Sequence, residues 1–404
     1  MLKQELQNLS ENCYEGCPLP VEHMEVEKNS LDHITGYVRE KGFHNIVIIE
    51  DTNTKKAAGD KMEQLFSDAN TALETVLAPE NEHGQVTADE RTIMQMFVQI
   101  PEHTDCLLAV GSGTIHDITR FVSAKMKIPF ISVPTAASVD GFTSKGAPLI
   151  LGGVKQTVQA AAPLAVFADV NVLRGAPQEM AAAGFGDMAA KSTSVFDWEI
   201  SRLIAEETYN EWASRAMQRA WSTCRNEAER IAQGEEEGLR ILMESLLLSG
   251  LVMMTLDHSR PASGAEHHLS HYWELIFLKE GRKQKLHGAK VGVATSIISD
   301  LYKGYFTKPE ELPVEEPVYK RRLEEHAETI KHWIGNMPSS SEIRELLRKV
   351  GGPELPEELG IHHELVQESL EQAHHLREHR YTGLKMLHMS GWGVPSYPFT
   401  KQET

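Results

Sequence analysis

Cysteine is scarce: the chain has 4 in 404 residues, at 13, 17, 106 and 224. Four scattered thiols do not make a disulfide framework, and Cys13 and Cys17 read as incidental thiols rather than a metal site. Positive charge is also short. Lys and Arg number 40 against 58 Asp and Glu, for a formal net charge of −18. That balance argues against nucleic acid and anionic membranes as partners, while a locally basic pocket could still take a phosphorylated small molecule. No apolar run approaches the length needed to span a membrane, and the N-terminal residues Met1–Asn8 carry no apolar signal region. The expectation is a cytoplasmic protein with no membrane insertion. Internal repeats and low-complexity linkers are absent too. The length fits two domains, or one large one, with ample core.

Strand and helix signals alternate through the first part of the chain. Residues 1–40 are polar and read as one or two lead-in helices. Ile46–Asp51, Glu74–Leu77, Cys106–Val110 and Ile128–Val133 read as strands, with Pro148–Leu151 and Ala165–Phe167 as further candidates. Helical stretches separate them at 54–68, 89–98 and 114–125. This predicts an α/β domain over residues 1–177, with a mostly parallel sheet covered on both faces. From residue 178 the strand signals all but vanish. Helices are expected over 178–197, 205–233, 238–257, 318–335 and 341–350, so residues 178–404 read as an all-helical domain. Lys308–Pro317 reads as an exposed loop, and 383–404 as a packed tail.

The helical part is organised around Arg260–His287. His267 and His271 are four apart and share one helix face, with Pro261 and Gly264 placing the helix start near Glu266. His287 opens the next helix. Two imidazoles at adjacent helix ends, joined by one carboxylate, would make an open three-ligand metal site. Asp187, in Ala-Gly-Phe-Gly-Asp, is the best carboxylate partner. With 19 His in the chain, satisfied core histidines are the competing reading, and Asp187 could equally be a helix N-cap. His375 and His379 have the same spacing, inside a stretch that is charged all round and reads as solvated. Arg260, seven residues before His267, could hold a phosphate as a fork. Lys145 and Lys155 are weaker candidates for the same role, with solvated lysines as the competing reading.

In the α/β part, Gly111-Ser112-Gly113-Thr114 follows a strand and opens a helix, where backbone amides can meet a phosphate. A dinucleotide fingerprint would place a third glycine at 116, where this chain has His116, and an ordinary strand–helix turn explains the same residues. Asp51 at a strand end could take ribose hydroxyls or serve as an N-cap. Asp140 and Ser144 follow the strand that ends at Pro134, where α/β sheets bind ligands; a solvated loop is the alternative.

Taken together, the Gly-Ser-Gly-Thr turn, Pro134-Thr-Ala-Ala-Ser-Val-Asp-Gly141, Ala168-Asp169, Ala183-Gly-Phe-Gly-Asp187, Ser263-Gly-Ala-Glu-His-His-Leu-Ser-His271 and the His287 segment resemble the family of dehydroquinate synthase, glycerol dehydrogenase and the iron-containing alcohol dehydrogenases. The resemblance covers roughly residues 45–300, and Arg380-Tyr381-Thr382 also fits. It implies an N-terminal Rossmann-like nucleotide-binding domain, a helical metal-binding domain, and a cleft between them. It implies NAD(H), with NADP(H) as an alternative, at Asp51, at Gly113, Thr114, Ile115, His116 and Asp117, at Thr135, Ala136, Ala137 and Ser138, and at Ser144. It implies one divalent metal, nickel or zinc, on Asp187, His267 and His287, and substrate contact by Asp140, Asp187 and His271. The implied reaction is metal-dependent interconversion of dihydroxyacetone phosphate and sn-glycerol 1-phosphate in a homodimer. Glycerol dehydrogenase activity, or a non-catalytic binding protein on the same fold, are the alternatives. Dehydroquinate synthases typically carry Glu where this chain has Asp187, and Asn where it has Gly264, which argues against that activity.

Overall fold

The computed structural model describes residues 21–391 and 393–399, together with Glu5 and Leu9. By internal contacts the chain forms two compact units, residues 1–184 with 229–257, and residues 185–228 with 258–404. The expected single division after residue 177 differs from this chiefly in the segment 229–257.

The first unit is built on a six-stranded parallel sheet. Its strands are β1 (His23–Glu27), β2 (Asn45–Glu50), β3 (Ala72–Leu77), β4 (Cys106–Gly111), β5 (Phe130–Pro134) and β8 (Ala165–Asp169), in the order β1-β8-β5-β4-β2-β3. A separate antiparallel hairpin pairs β6 (Gly146–Leu151) with β7 (Val154–Gln159). The central strands are buried at every position, as a parallel sheet covered on both faces requires. One face packs Val47, Ile49, Leu107 and Ala109 against helices Glu90–Gln99 and α1 (Gly113–Met126). The other packs Ile46, Ile48, Leu108 and Val110 against helices Ile34–Glu40 and Asp60–Asp68.

Two strands escape the sequence pattern. β1 was expected to be helical. It is an edge strand with mixed exposure, and its partner β8 lies about 140 residues on, so its local pattern carries little signal. β7 is mostly exposed and polar and is fixed by its hairpin partner.

The segment 229–257 joins this unit through α5 (Glu236–Leu256). This helix is, contrary to expectation, long and apolar enough to cross a membrane, but 78% of its most apolar stretch is buried inside the protein. The burial has a local cause. Thr143 donates to the Leu247 carbonyl at 2.9 Å, and a side chain on Gly250 would come within 2.3 Å of Thr143 Oγ1. The apolar surface is therefore core.

The second unit is helical. It contains α3 (Lys191–Ala205), α4 (Glu211–Asn226), α6 (Ala265–Lys279), α7 (His287–Tyr305) and α8 (Ser340–Lys349), with shorter helices between and after them. Helix α2 (Gln178–Ala189) precedes α3, and the expected helix 178–197 is broken at Ala190. The expected helix 205–233 is likewise shorter, since Asn210 caps α4 through Ala213 N. Phe196, Leu269, Trp273, Phe277, Ile297 and Tyr302 form the centre of the core. Residues 308–317 are less exposed than expected, because Leu312 and Val314 are buried in that core. Among the described residues of the tail, Gly383–Met389 form a helix capped by Thr382.

Candidate metal centre and nucleotide-binding strand ends

Asp187 lies inside α2, one turn from its end, and does not cap it. Its position depends on two glycines. A side chain on Gly186 would come within 2.3 Å of the Gly288 carbonyl oxygen, and one on Gly292 within 3.0 Å of Gly186 Cα. Backbone-to-backbone packing of α2 on α7 is thus open only to glycine, and it brings Asp187 to the start of α7, where His287 is the first residue.

His267 lies in the first turn of α6, as expected. Its Nε2 is 3.4 Å from Asp187 Oδ1, and its ring is 5.4 Å from that of His287. One donor atom each from Asp187, His267 and His287 falls within a 4.8 Å sphere of mutual distances. Asp187 is fully buried, His267 is buried and His287 half-buried.

His267 and His287 are both oriented from behind. His267 Nδ1 meets Glu266 Oε1 at 2.8 Å, and His287 Nδ1 meets Glu274 Oε1 at 3.1 Å. A carboxylate only accepts, so each Nδ1 carries a proton, and Nε2 is the nitrogen left to offer a lone pair to an ion. Glu274 Oε2 holds His271 in the same way at 3.1 Å, and Lys290 Nζ lies 3.0 Å from Glu274 Oε1. Two lone-pair nitrogens and a carboxylate, each imidazole backed by a carboxylate, fit a divalent ion.

Burial works to raise the Asp187 carboxyl, but Lys191, the His267 bond and the His287 charge outweigh it, so it is held below the usual carboxylate range. Lys191, one turn after Asp187, is fully buried and donates to the Ala262 carbonyl at 3.1 Å. Glu266, Glu274, Lys191 and Lys290 were missed in the sequence. The seven-residue step from His267 to Glu274, two turns along one face, was a signal that could have found Glu274.

Arg260 lies just before α6, but its Nε donates to Glu207 Oε2 at 2.7 Å, so its charge is partly matched. His375 and His379 are exposed.

In the first unit, the chain leaves β2 and β4 in opposite directions across the sheet, to β3 on one side and to β5 on the other. Their carboxyl ends therefore mark a topological switch point. Asp51 follows β2. Its Oδ1 accepts from Asn53 N at 2.8 Å and Thr54 N at 2.9 Å, so it is a helix N-cap.

Gly111 ends β4 and Gly113 opens α1. A side chain at 111 would strike Ile115 Cβ at 2.6 Å, which fixes glycine there. Ser112 makes no side-chain cap, so the first amides of α1 are not covered by a capping hydroxyl. Thr114 and Asp117 are half-buried, and Ile115 is buried. Burial, opposed by Arg120, pushes the Asp117 carboxyl up to about 7.

His116 stands apart from the other residues of this turn. Its Nδ1 meets the Ser112 carbonyl at 2.9 Å and its Nε2 meets Ser132 Oγ at 2.7 Å. Burial, first among the causes, pushes its pKa down to about 3. It is a satisfied, neutral core histidine. At this position an inward-turned imidazole replaces the fingerprint's glycine.

Thr135, Ala136, Ala137 and Ser138 follow β5 and are buried; a side chain on Gly184 would come within 2.0 Å of the Ala137 carbonyl oxygen. Asp140 Oδ2 accepts from Ser249 Oγ at 2.8 Å. Ser144 Oγ accepts from Arg120 Nη1 at 2.8 Å. Arg120, also missed in the sequence, is fully buried and donates to the Gly141 and Gly146 carbonyls, so it staples the loop after β5.

Residues 25–177 match the family model described as iron-containing alcohol dehydrogenase. The chain is 44% identical over 395 residues to glycerol-1-phosphate dehydrogenase [NAD(P)+] of Geobacillus stearothermophilus, covering 95% of this chain and 97% of that one. The protein of the same name from Bacillus subtilis is 44% identical over 92% of each chain. That of Methanosarcina mazei is 34% identical over 84% of this chain and 83% of that one. Among solved structures, an iron-containing alcohol dehydrogenase from Thermococcus thioreducens aligns with a TM-score of 0.66 at 17% identity, covering 91% and 93% of the chains. A glycerol dehydrogenase from Schizosaccharomyces pombe aligns at 0.63 and 19% identity, covering 86% and 82%. These two show the fold, and the closer relatives show the family: the chain belongs to the glycerol-1-phosphate dehydrogenase [NAD(P)+] family, within the iron-containing alcohol dehydrogenase fold.

Proposed function

We propose that the chain interconverts dihydroxyacetone phosphate and sn-glycerol 1-phosphate with NAD(P)H, using one divalent metal per chain. The observation that carries this reading is the convergence of Asp187, His267 and His287, with both imidazoles held by carboxylates. The names of relatives at 44% identity support the phosphorylated substrate over glycerol. The intact ligand set speaks against a non-catalytic binding protein.

Asp187, His267 and His287 would hold the metal, which supplies a Lewis acid for the C2 carbonyl and for the charge that develops on it. Two nitrogens and one oxygen suit nickel or zinc, and the resemblance to bacterial members favours nickel. Lys191 and Glu266 fix the ligands before substrate arrives. His271, oriented by Glu274 beside His287, is placed to hold the substrate or pass a proton to its C2 oxygen.

For the nucleotide, the open first turn of α1 at Gly113–Asp117 takes the pyrophosphate, with Thr135–Ser138 and Ser144 on the neighbouring loop. Asp51 reads the ribose and favours NADH, since a carboxylate repels a 2′-phosphate. His116 contributes by packing under this turn. Asp140 is a substrate contact set by Ser249. Arg260 is a secondary phosphate contact through its terminal nitrogens. We place the protein in the cytoplasm as a homodimer.

The test is NADH oxidation by nickel- or zinc-loaded protein, with dihydroxyacetone phosphate against dihydroxyacetone. Strong preference for the phosphorylated ketone supports the reading, and equal use of both contradicts it.

A further inference from the structure

Three guanidinium groups gather around the turn that leads into α6. Arg260 has a carboxylate partner in Glu207, at 2.7 Å. Arg377 and Arg380, brought in from the chain after helix His363–Gln372, have none among the described residues. Arg380 Nη2 donates to Ser259 Oγ at 2.8 Å, and its Nη1 donates to the Ser263 carbonyl and, at 3.2 Å, to Ser263 Oγ. Arg377 Nη1 reaches Ser259 Oγ at 3.4 Å. Each guanidinium has five N–H groups, so most of the donors of Arg377 are left over. Arg380 is itself pushed down to about 9, by burial and then by Arg377 and Arg260.

His268 supplies an independent observation. It is 1% exposed, and neither ring nitrogen has a hydrogen-bond partner. The charges that act on it most are Arg380 and Arg377, followed by His271 and His267. A buried imidazole with two unmet nitrogens is costly unless something else meets it. The spare donors of Arg377, the Arg380 guanidinium held beside it, a buried N–H donor and the Ser259 and Ser263 hydroxyls together match the oxygens of one phosphate monoester.

We infer that Arg377 and Arg380, with His268, form the subsite that binds the phosphate of the substrate. This rests on the function proposed above and names the residues that read the phosphate. The placement agrees with the chemistry: His268 adjoins the metal ligand His267 in α6, and the substrate's phosphate ester sits on the carbon next to its carbonyl. Arg260, matched by Glu207, then tunes the subsite.

The experiment uses the full chain loaded with nickel, and reads kcat/KM for dihydroxyacetone phosphate and for dihydroxyacetone at saturating NADH. Arg377→Ala is expected to lower the ratio of the two by roughly tenfold to a hundredfold, the loss of a charge-assisted pair. Competitive inhibition by inorganic phosphate should weaken in step. Arg377→Lys, which keeps the charge without the fork, should recover part of the ratio, as a purely packing role would not. An unselective loss on both ketones, or a ratio equal to the parent's, overturns the subsite while leaving the functional reading intact. A parent protein with no preference for the phosphorylated ketone overturns the functional reading and the subsite with it.

Discussion

Glu266 and Glu274 hold the Nδ1 of His267 and of His287, and so they set the orientation of both imidazoles. One ion per chain is expected on Asp187, His267 and His287. His287→Ala should abolish it and His379→Ala should not, as read by metal analysis of dialysed, folded protein. Full occupancy in His287→Ala would assign the metal elsewhere. Glu50, at the end of β2, offers a second test. It is fully buried, neither oxygen has a hydrogen bond, and Lys55 Nζ is 3.7 Å away. Burial, opposed by Lys55, pushes its carboxyl from the ordinary 4.5 up to about 7. The raised value means that the neutral form is favoured by folding. Its stabilisation is fully present below the unfolded value and is lost as pH rises through about 7. The loss is of order 3 kcal/mol at most. Glu50→Gln should therefore flatten the fall in urea midpoint between pH 5 and 8, and an unchanged slope would show that Glu50 ionises freely. At this scale the placing of His267 and His287 at helix starts was legible, because turn residues before a helix are a local signal. The competing roles of Asp51 and His116 were not, since whether a side chain turns toward a ligand or into the fold depends on partners such as Ser132, 16 residues away.

At the scale of elements, the contact between α2 and α7 carries the site. Two glycines at 186 and 292 let the helices meet at their backbones. Gly186→Ala places a methyl 2.3 Å from a carbonyl oxygen that cannot swing aside. The helices must separate, at a cost of about 1–3 kcal/mol, and Asp187 must move away from His287. A lower melting temperature together with weaker nickel binding is expected, by calorimetry and metal titration. Unchanged metal affinity would mean that the ligands adapt independently of the helix spacing. The central strands and α1, α6 and α7 were readable from periodicity and turn residues. β1 was not, because an edge strand pairs with a segment far along the chain. The break at Ala190 and the cap at Asn210 divided runs that composition alone joins.

For the whole molecule, the division of the chain was only partly legible. The change from strand to helix signals after residue 177 is real, but α5 packs with the sheet-bearing unit through Thr143 and Gly250. That contact exists only in the fold, which is also why a helix apolar enough for a membrane is core here. Net charge carries no information on the local convergence of Arg260, Arg377 and Arg380, which come from two distant segments. Recognition of one particular glycerol phosphate is what the proposed function turns on. The most direct measurement is NAD+ reduction by nickel-loaded protein, given sn-glycerol 1-phosphate, sn-glycerol 3-phosphate or glycerol. Turnover of the 1-phosphate is expected, with little of its mirror-related isomer and little of glycerol, all abolished in His287→Ala. Equal turnover of the two phosphates, preference for glycerol, or full activity without the metal ligands would contradict it.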